Sequence, residues 1–286
     1  MKVLVTGANG QVGWELQRAI PAGIELVALQ RSALDITNRE QVIRVITSEK
    51  PDWVINAAAY TAVDRAEEEP DLAYTINRDG AANIAEACKR AGSRMVQIST
   101  DFVFDGRQGT PYLETAKPNP LSVYGASKLA GDEAVFKALG EHCTILRTSW
   151  VYSVHGNNFV KTMLRLMSER AEVGIVADQV GTPTWANGLA TAIWAAVEKG
   201  VSGICHWSDY GVASWYDFAI AIYEEGSTLG LLTTECAIKP IRTEQYPVPA
   251  TRPQYSVMDK SNTVSQLEIE PGHWRMALRE MLIEMV

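Results

Sequence analysis

The sequence predicts an α/β protein: a Rossmann-like, doubly wound parallel sheet joined to a smaller, mostly C-terminal α/β substrate domain. Three observations carry this. Short β-branched runs alternate with helix-length periodic segments through the first half of the chain, three glycines follow the first run closely, and from about Val151 the alternation gives way to loops richer in proline and polar residues. Such alternation is the rhythm of βαβ units, which need parallel strands with helices packed over them.

Taken in order, "KVLVT" predicts a first strand, "QVGWELQRAI" a helix, "IELVAL" a second strand, "REQVIRVITSEK" a helix and "DWVINAA" a third strand. "LAYTINRDGAANIAEACKRAG" reads as one long apolar-periodic helix, followed by "RMVQIST" as a strand, the helix opened by "VYGASKLAGDEAV" and the strand "CTILRTS". Strands this apolar on both faces belong in a covered sheet. "VYSVHGNNFVKTMLRLMSER" predicts a loop and a helix, and "QVGTPTWANGLATAIWAAVEKG" a proline-bearing loop and another helix, whose continuation "VSGICHW" returns to the sheet. "KPIRTEQYPVPATRPQYSVMDKS" reads as irregular. A dinucleotide-binding domain is thus expected over 1–150 plus about 186–208, and a substrate-binding domain over 151–185 plus about 209–286.

The 286 residues, 47% of them hydrophobic, suffice for a large core in one or two domains. A net charge of −8 without acidic or basic blocks offers no footprint for nucleic acid or an anionic membrane surface. Four scattered cysteines lack any CxxC pairing and read as buried thiols of a reducing compartment. "KVLVTG" is too short for a signal segment and no apolar stretch reaches membrane-spanning length, so a cytoplasmic protein is expected. The four histidines are too dispersed to suggest a metal-ligand set.

"VTGANGQVGWEL" sets Gly7, Gly10 and Gly13, with Gln11 and Val12 among them, between the first strand and the first helix. There the glycines would serve a tight turn, a close approach to a pyrophosphate and close packing of helix on strand, while the helix N-terminus supplies amide donors. The alternative is a merely glycine-rich turn, but a strand before it and a helix after it are the context a dinucleotide motif requires. The spacing G-x-x-G-x-x-G resembles that of the short-chain dehydrogenase superfamily. After the second strand stand Gln30 and Arg31, with no acid before Asp35. An arginine there suits a 2′-phosphate, so NADPH is the expected cofactor, with NADH as the alternative and a solvated Arg31 as the bland one. Asp35 and Ile36 resemble a segment flanking the adenine; Asp35 could equally cap the helix opening "NREQ". Ala57, Ala58 and Ala59 leave room for a dinucleotide after the third strand.

"VQISTDFVFDG" ends a strand with Ser99, Thr100 and Asp101 at its carboxyl edge, where open α/β sheets bind ligands. Tyr124 and Lys128, four residues apart, face the same way on the next helix. The ammonium is expected to favour the phenolate, lower the tyrosine's pKa and hold the nicotinamide ribose. Thr100 would orient a substrate carbonyl and Tyr124 deliver the proton as hydride arrives. A Y-x-x-x-K pair alone is common on ordinary helices; with the glycine turn and Thr100 it reads as chemical.

"TGANGQVGWEL", "NAAAYTAVDRAE", "STDFVFDG", "VYGASKLAGDEAV", "RTSWVY", "GNNFVKTML", "DQVGTPT" and "YPVPATRP", in this order and over most of the chain, closely resemble the dTDP-4-dehydrorhamnose reductase family of extended short-chain dehydrogenases. The resemblance implies reduction of the 4-keto group of dTDP-4-dehydro-L-rhamnose, the last step toward dTDP-L-rhamnose for surface polysaccharide. It further implies that Thr100 and Asp101 meet the sugar, that Tyr124 and Lys128 form the catalytic pair, that Trp150 lines the sugar site and that Asn157 and Asn158 reach the nucleotide diphosphate. Trp150 could also be plain core, and the asparagines plain loop. Two departures stand out. Phe102 replaces the family's usual tyrosine. The family's link to a Mg2+-dependent homodimer finds Glu15 here, but the helix beginning "WANGLATA" has no acid, so no metal is expected and Mg2+ stays a minor alternative. The same fold also serves nucleotide-sugar epimerases and dehydratases; a dehydratase needs an acid where Phe102 stands. A silent dinucleotide-binding regulatory subunit need not keep Thr100, Tyr124 and Lys128 together.

Overall fold

Six parallel strands form the central sheet of the computed structural model, which describes residues 1–286. They are β1 (Lys2–Thr6), β2 (Glu25–Leu29), β3 (Trp53–Asn56), β4 (Arg94–Thr100), β5 (Cys143–Thr148) and a sixth, Gly203–His206. Their order is β2-β1-β3-β4-β5 and then the sixth strand. The winding reverses between β1 and β3, so a crevice opens at the carboxyl ends of those two strands.

Side chains alternate between two covered faces, as a period of two requires. Val3 and Val5 of β1, Trp53 and Ile55 of β3, Val96 and Leu146 pack under the helices Gln11–Arg18 and Ala186–Lys199. Leu4, Val54, Met95 and Ile145 point the other way, under Arg39–Glu49, Ala81–Ala91 and Val123–Leu139. A separate core, built on Tyr152, Met163, Phe218, Trp274 and Leu278, joins the helices Phe159–Glu169, Trp215–Thr228 and Trp274–Ile283 beside a parallel pair, Glu172–Val176 with Ala237–Ile241.

Three local features differ from the sequence reading. The long helix is broken into Pro70–Tyr74, a π-helical turn over Thr75–Gly80, and Ala81–Ala91. Apolar periodicity does not register one wide turn, yet that turn sinks Asn77 to 2% exposure. Asp35 is not the helix cap. Asn38 caps Arg39–Glu49 by accepting from the Gln41 amide, while Asp35 accepts from the Thr37 amide and hydroxyl at 3.0 and 2.8 Å. Finally, Ser261–Leu267, expected within the substrate domain, places Leu267 in the sheet-side core with Leu189 and Ile193. Only Thr263 and Leu267 of that short helix are buried, too few to leave a periodic signal.

Candidate active site

β1 delivers the chain to Gly7, whose φ of +70° turns it sharply; a Cβ there would lie 2.6 Å from the Ala58 nitrogen. The turn therefore rests directly on the backbone that leaves β3. Gly13 packs as closely against the carbonyl of Gly7, whereas Gly10 faces open space apart from that carbonyl at 3.3 Å. Under the turn runs a row of hydrogen bonds across three strand ends: Thr6 Oγ1 donates to Asn56 Oδ1 (2.7 Å), and Asn56 Nδ2 to Gln97 Oε1 (2.8 Å). Asn56 Oδ1 also accepts from the Ala58 amide. Asn77 holds the same loop from the other side, accepting from the Tyr60 amide (2.8 Å) and donating to the Tyr60 carbonyl and to Ser127 Oγ (3.0 Å) on the Tyr124 helix.

A cleft of about 600 Å3 opens above. One half is lined by Gly10, Gln11, Val12, Ala57, Ala58 and Ala59; the other by Thr100, Asp101, Tyr124, Lys128, Trp150 and Asn158. Gly7 and Gly13 support the floor without lining it. Arg31 and Asp35 stand outside the lining: Arg31 is 75% exposed, its Nε 3.7 Å from the Asp35 carboxylate, and the neighbouring Gln30 is hydrogen-bonded to Asn9 at the cleft's edge. Ile36 does not border the cleft; it is 5% exposed in the core against Gly80, because its apolar side chain fills the space under the π turn.

At the end of β4, Thr100 Oγ1 accepts from the Phe102 amide and donates to Asp101 Oδ1, both at 3.2 Å. Asp101 is 1% exposed with its other oxygen unpartnered, and burial pushes its carboxyl up to about 7. The helix Val123–Leu139 is aimed at this edge. Ser122 caps it by accepting from the Gly125 amide, Glu67 takes the Val123 amide at 2.8 Å, and Gly131 lets the helix close onto the backbone of Asn77. Tyr124 sets its ring edge-on to Phe102, centroids 5.6 Å apart.

The expected lowering of the Tyr124 pKa is not what the structure shows. Burial pushes the phenol up to about 12, the Thr100 hydroxyl pulls against that, and the charges of Asp101 and Asp132 add to it. Lys128, 3% exposed, turns its ammonium to the Ile98 carbonyl at 2.5 Å rather than to the phenol. The tyrosine thus stands as a protonated acid, the form a carbonyl reduction consumes.

Trp150 is not core. It sits with φ +46°, a backbone region costly for a bulky residue, and stacks on Trp215 with centroids 3.5 Å apart and planes within 6°. Asn158 caps Phe159–Glu169 through its carbonyl oxygen and gives its amide to Gln11 Oε1 (2.9 Å) and the Ser153 carbonyl (2.7 Å), so it positions the glycine turn and has no donor left over. Asn157, also on the lining, is exposed. The sequence reading missed Arg252, which lines the cleft and grips Asp64 with two nitrogens at 3.0 and 2.7 Å. Its place in "YPVPATRP", a proline-stiffened loop, was the available signal.

Glu15 was the one carboxylate offered for Mg2+. It is fully buried, and its oxygens already accept from Ser153 (2.7 Å), Arg18 (3.3 Å) and Asn187 (3.4 Å), Arg18 reaching on to Glu284 at 2.8 Å. A guanidinium holds the place where a dication would need several free oxygens, so these residues do not fit the metal.

Over residues 1–286 the chain matches the family model described as RmlD substrate binding domain. It is 43% identical over 289 aligned positions to the dTDP-4-dehydrorhamnose reductase of Burkholderia thailandensis, covering 97% of each chain. It is 40% identical to that of Escherichia coli, covering 100% of this chain and 98% of the relative. Its structure is similar to a crystal structure of dTDP-4-dehydrorhamnose reductase from Bacillus anthracis in complex with NADP, with a TM-score of 0.92, 39% identity and 99% of each chain covered.

Proposed function

This chain belongs to the RmlD substrate binding domain family, that of the dTDP-4-dehydrorhamnose reductases, and from that premise we propose that it carries out the NADPH-dependent reduction of dTDP-4-dehydro-L-rhamnose to dTDP-L-rhamnose. The observation that carries the reading is the meeting of Thr100, Tyr124 and Lys128 in one cleft with the glycine turn. Bound NADPH supplies the hydride. The chain's own groups do the rest. Gly10 and Ala57 to Ala59 leave room for a dinucleotide against the backbone, and the first helix turns its N-terminal amides toward the phosphates. Thr100 orients the sugar carbonyl, and Tyr124 gives its proton to the carbonyl oxygen as the carbon is reduced. Lys128, one helical turn on and held at the Ile98 carbonyl, supplies the buried positive charge on the same helix face as the phenolate that results.

The stacked Trp150 and Trp215 flank the sugar. A second recess of about 500 Å3 shares Phe159, Trp215 and Arg252 with the cleft, and the nucleotide end of the substrate extends into it. No helix is long and apolar enough to cross a membrane, and all four cysteines are unpaired and buried. The reaction is assigned to the cytosol, where such thiols stay reduced. Phe102, adjacent to Asp101, cannot exchange protons, which sets elimination chemistry aside.

The test is the loss of NADPH absorbance when the purified protein meets enzymatically generated dTDP-4-dehydro-L-rhamnose. Steady oxidation is expected; tight NADPH binding without turnover would move a regulatory role to the front. Run with NADH alongside, Arg31→Glu is expected to raise the KM for NADPH about tenfold while leaving that for NADH near its starting value, the worth of one exposed phosphate contact. Equal effects on both cofactors would remove Arg31 from 2′-phosphate recognition.

A further inference from the structure

Behind Lys128, on the side away from the cleft, lies a buried carboxylate the reaction has not yet used. Asp132 stands one helical turn beyond Lys128 and two beyond Tyr124, so the three share a face of Val123–Leu139, and that face covers β4 and β5. Asp132 is 4% exposed; one oxygen accepts from the Ser99 hydroxyl and the other has no partner. In the sheet beneath, Ser99 is in register with Arg147, and Arg147 with His206. Arg147 is 2% exposed, with Nε and one terminal nitrogen unpartnered and its guanidinium 5.3 Å from the Phe104 ring.

Two buried cations, Lys128 one helical turn back on the same face and Arg147 in the sheet beneath, thus share this interior with one buried carboxylate without pairing with it directly, away from the solvent that would screen them. Removing either partner from such a set leaves uncompensated charge, so its members govern one another's protonation. Resting on the reading of Tyr124 as proton donor, we propose that Asp132 is a positioning residue that keeps the Tyr124–Lys128 pair loaded with its protons for reduction. A negative charge at this point makes proton loss costlier for both groups. Lys128 needs it most, since burial disfavours an ammonium.

The surrounding charges agree in sign. The field of Asp132 raises the pKa of Lys128 against the lowering by burial, and raises that of Tyr124 together with Asp101. Asp132 itself is pushed by burial to about 6, restrained by Lys128, Ser99 and Arg147, with Glu133 acting the other way, and is ionised at neutral pH. Glu114 acts on Arg147, and His206 is held neutral by burial, pushed down to about 3.

Asp132→Asn keeps the shape and removes the charge. In protein carrying carbon-13 at the lysine ε position, with the Lys128 signal assigned by its loss in Lys128→Met, the Lys128 titration midpoint is expected to fall by about one pH unit or more, with Lys137 unmoved. In turnover, the alkaline limb of the reduction profile moves to lower pH by the same step as the Lys128 midpoint, so the variant falls progressively below wild type as pH rises rather than by one factor at every pH. Asp132→Glu, which restores the charge, brings both back. An unchanged Lys128 midpoint, or a loss of rate equal at every pH, overturns the proposal and leaves Asp132 a packing residue. Should Asp132→Asn not fold, Asp132→Ser, which removes the charge and leaves a hydroxyl to pair with Ser99, must move the midpoint in the same direction, and no movement overturns it. If the midpoint shifts while even the wild type turns over no dTDP-sugar, the charge coupling stands and the reductase reading is the one that fails.

Discussion

Tyr124→Phe is expected to lower kcat for reduction by about a thousandfold while NADPH binds as in the wild type, the usual scale for losing a positioned general acid. The substitution removes one oxygen. The ring keeps its edge-on contact with Phe102, and the helix keeps its Ser122 cap and its Glu67 tether. Neither the fold nor the glycine turn has reason to change, so the loss should fall on kcat with KM for the sugar within about threefold, the pattern of an interaction made in the transition state. Stopped-flow loss of NADPH absorbance and cofactor fluorescence measure the two separately. The sign of the pH dependence follows from the same group: the protonated phenol is the reactive form, burial raises its pKa to about 12, and reduction should therefore hold up well into the alkaline range until Lys128 or the phenol gives up its proton. A loss of less than about tenfold would place the proton donor elsewhere. Asp101, buried beside Thr100 with its carboxyl pushed up to about 7, is then the group to replace next.

What the sequence made legible was local. A strand, a turn needing glycine and a helix are adjacent in the chain, so Gly7, Gly10 and Gly13 read directly as one motif, and helical spacing alone puts Tyr124 and Lys128 on one face. The residues that were missed owe their places to partners far along the chain. Asn56 and Gln97 read as polar interruptions of apolar strands, yet they complete a row of hydrogen bonds with Thr6 that exists only once the three strands are in register. Asn77 lies on a segment whose apolar spacing is helical; only the extra residue of the π turn carries it inward to Tyr60 and Ser127. Asp132 and Glu133 are neighbours of one chemical type, and nothing local says that the first is buried on Ser99 and the second exposed. Two expectations drawn from resemblance shifted for a related reason. Ile36 is consumed by the core, and the side chain of Asn158, though it borders the cleft, is engaged by the helix it caps and by Gln11 and Ser153.

Gly7→Ala and Gly10→Ala are expected to fail in different ways, and the contrast tests whether a dinucleotide lies over this turn. At Gly7 a methyl group meets two costs: the φ of +70° is strained for any residue with a Cβ, and the new carbon would lie 2.6 Å from the Ala58 nitrogen and 2.7 Å from the Ala57 carbonyl, rigid backbone on both counts. Together these amount to about 3 kcal/mol, a fall in melting temperature of roughly 5 °C, visible by calorimetry in the absence of any cofactor. At Gly10 the backbone is extended, with φ −77° and ψ 170°, and the nearest atom is a carbonyl oxygen 3.3 Å away, so alanine costs the fold about 1 kcal/mol, chiefly as a poorer helix cap. Its methyl, however, stands in the cleft at the helix N-terminus, where a pyrophosphate must come within hydrogen-bond distance of backbone amides. NADPH affinity should then fall about a hundredfold, some 2.7 kcal/mol, in a protein that melts nearly as the wild type does. Normal NADPH binding by Gly10→Ala would mean that the phosphates do not cross this turn, and the cofactor would have to be sought along the Ala57–Ala59 side of the cleft alone.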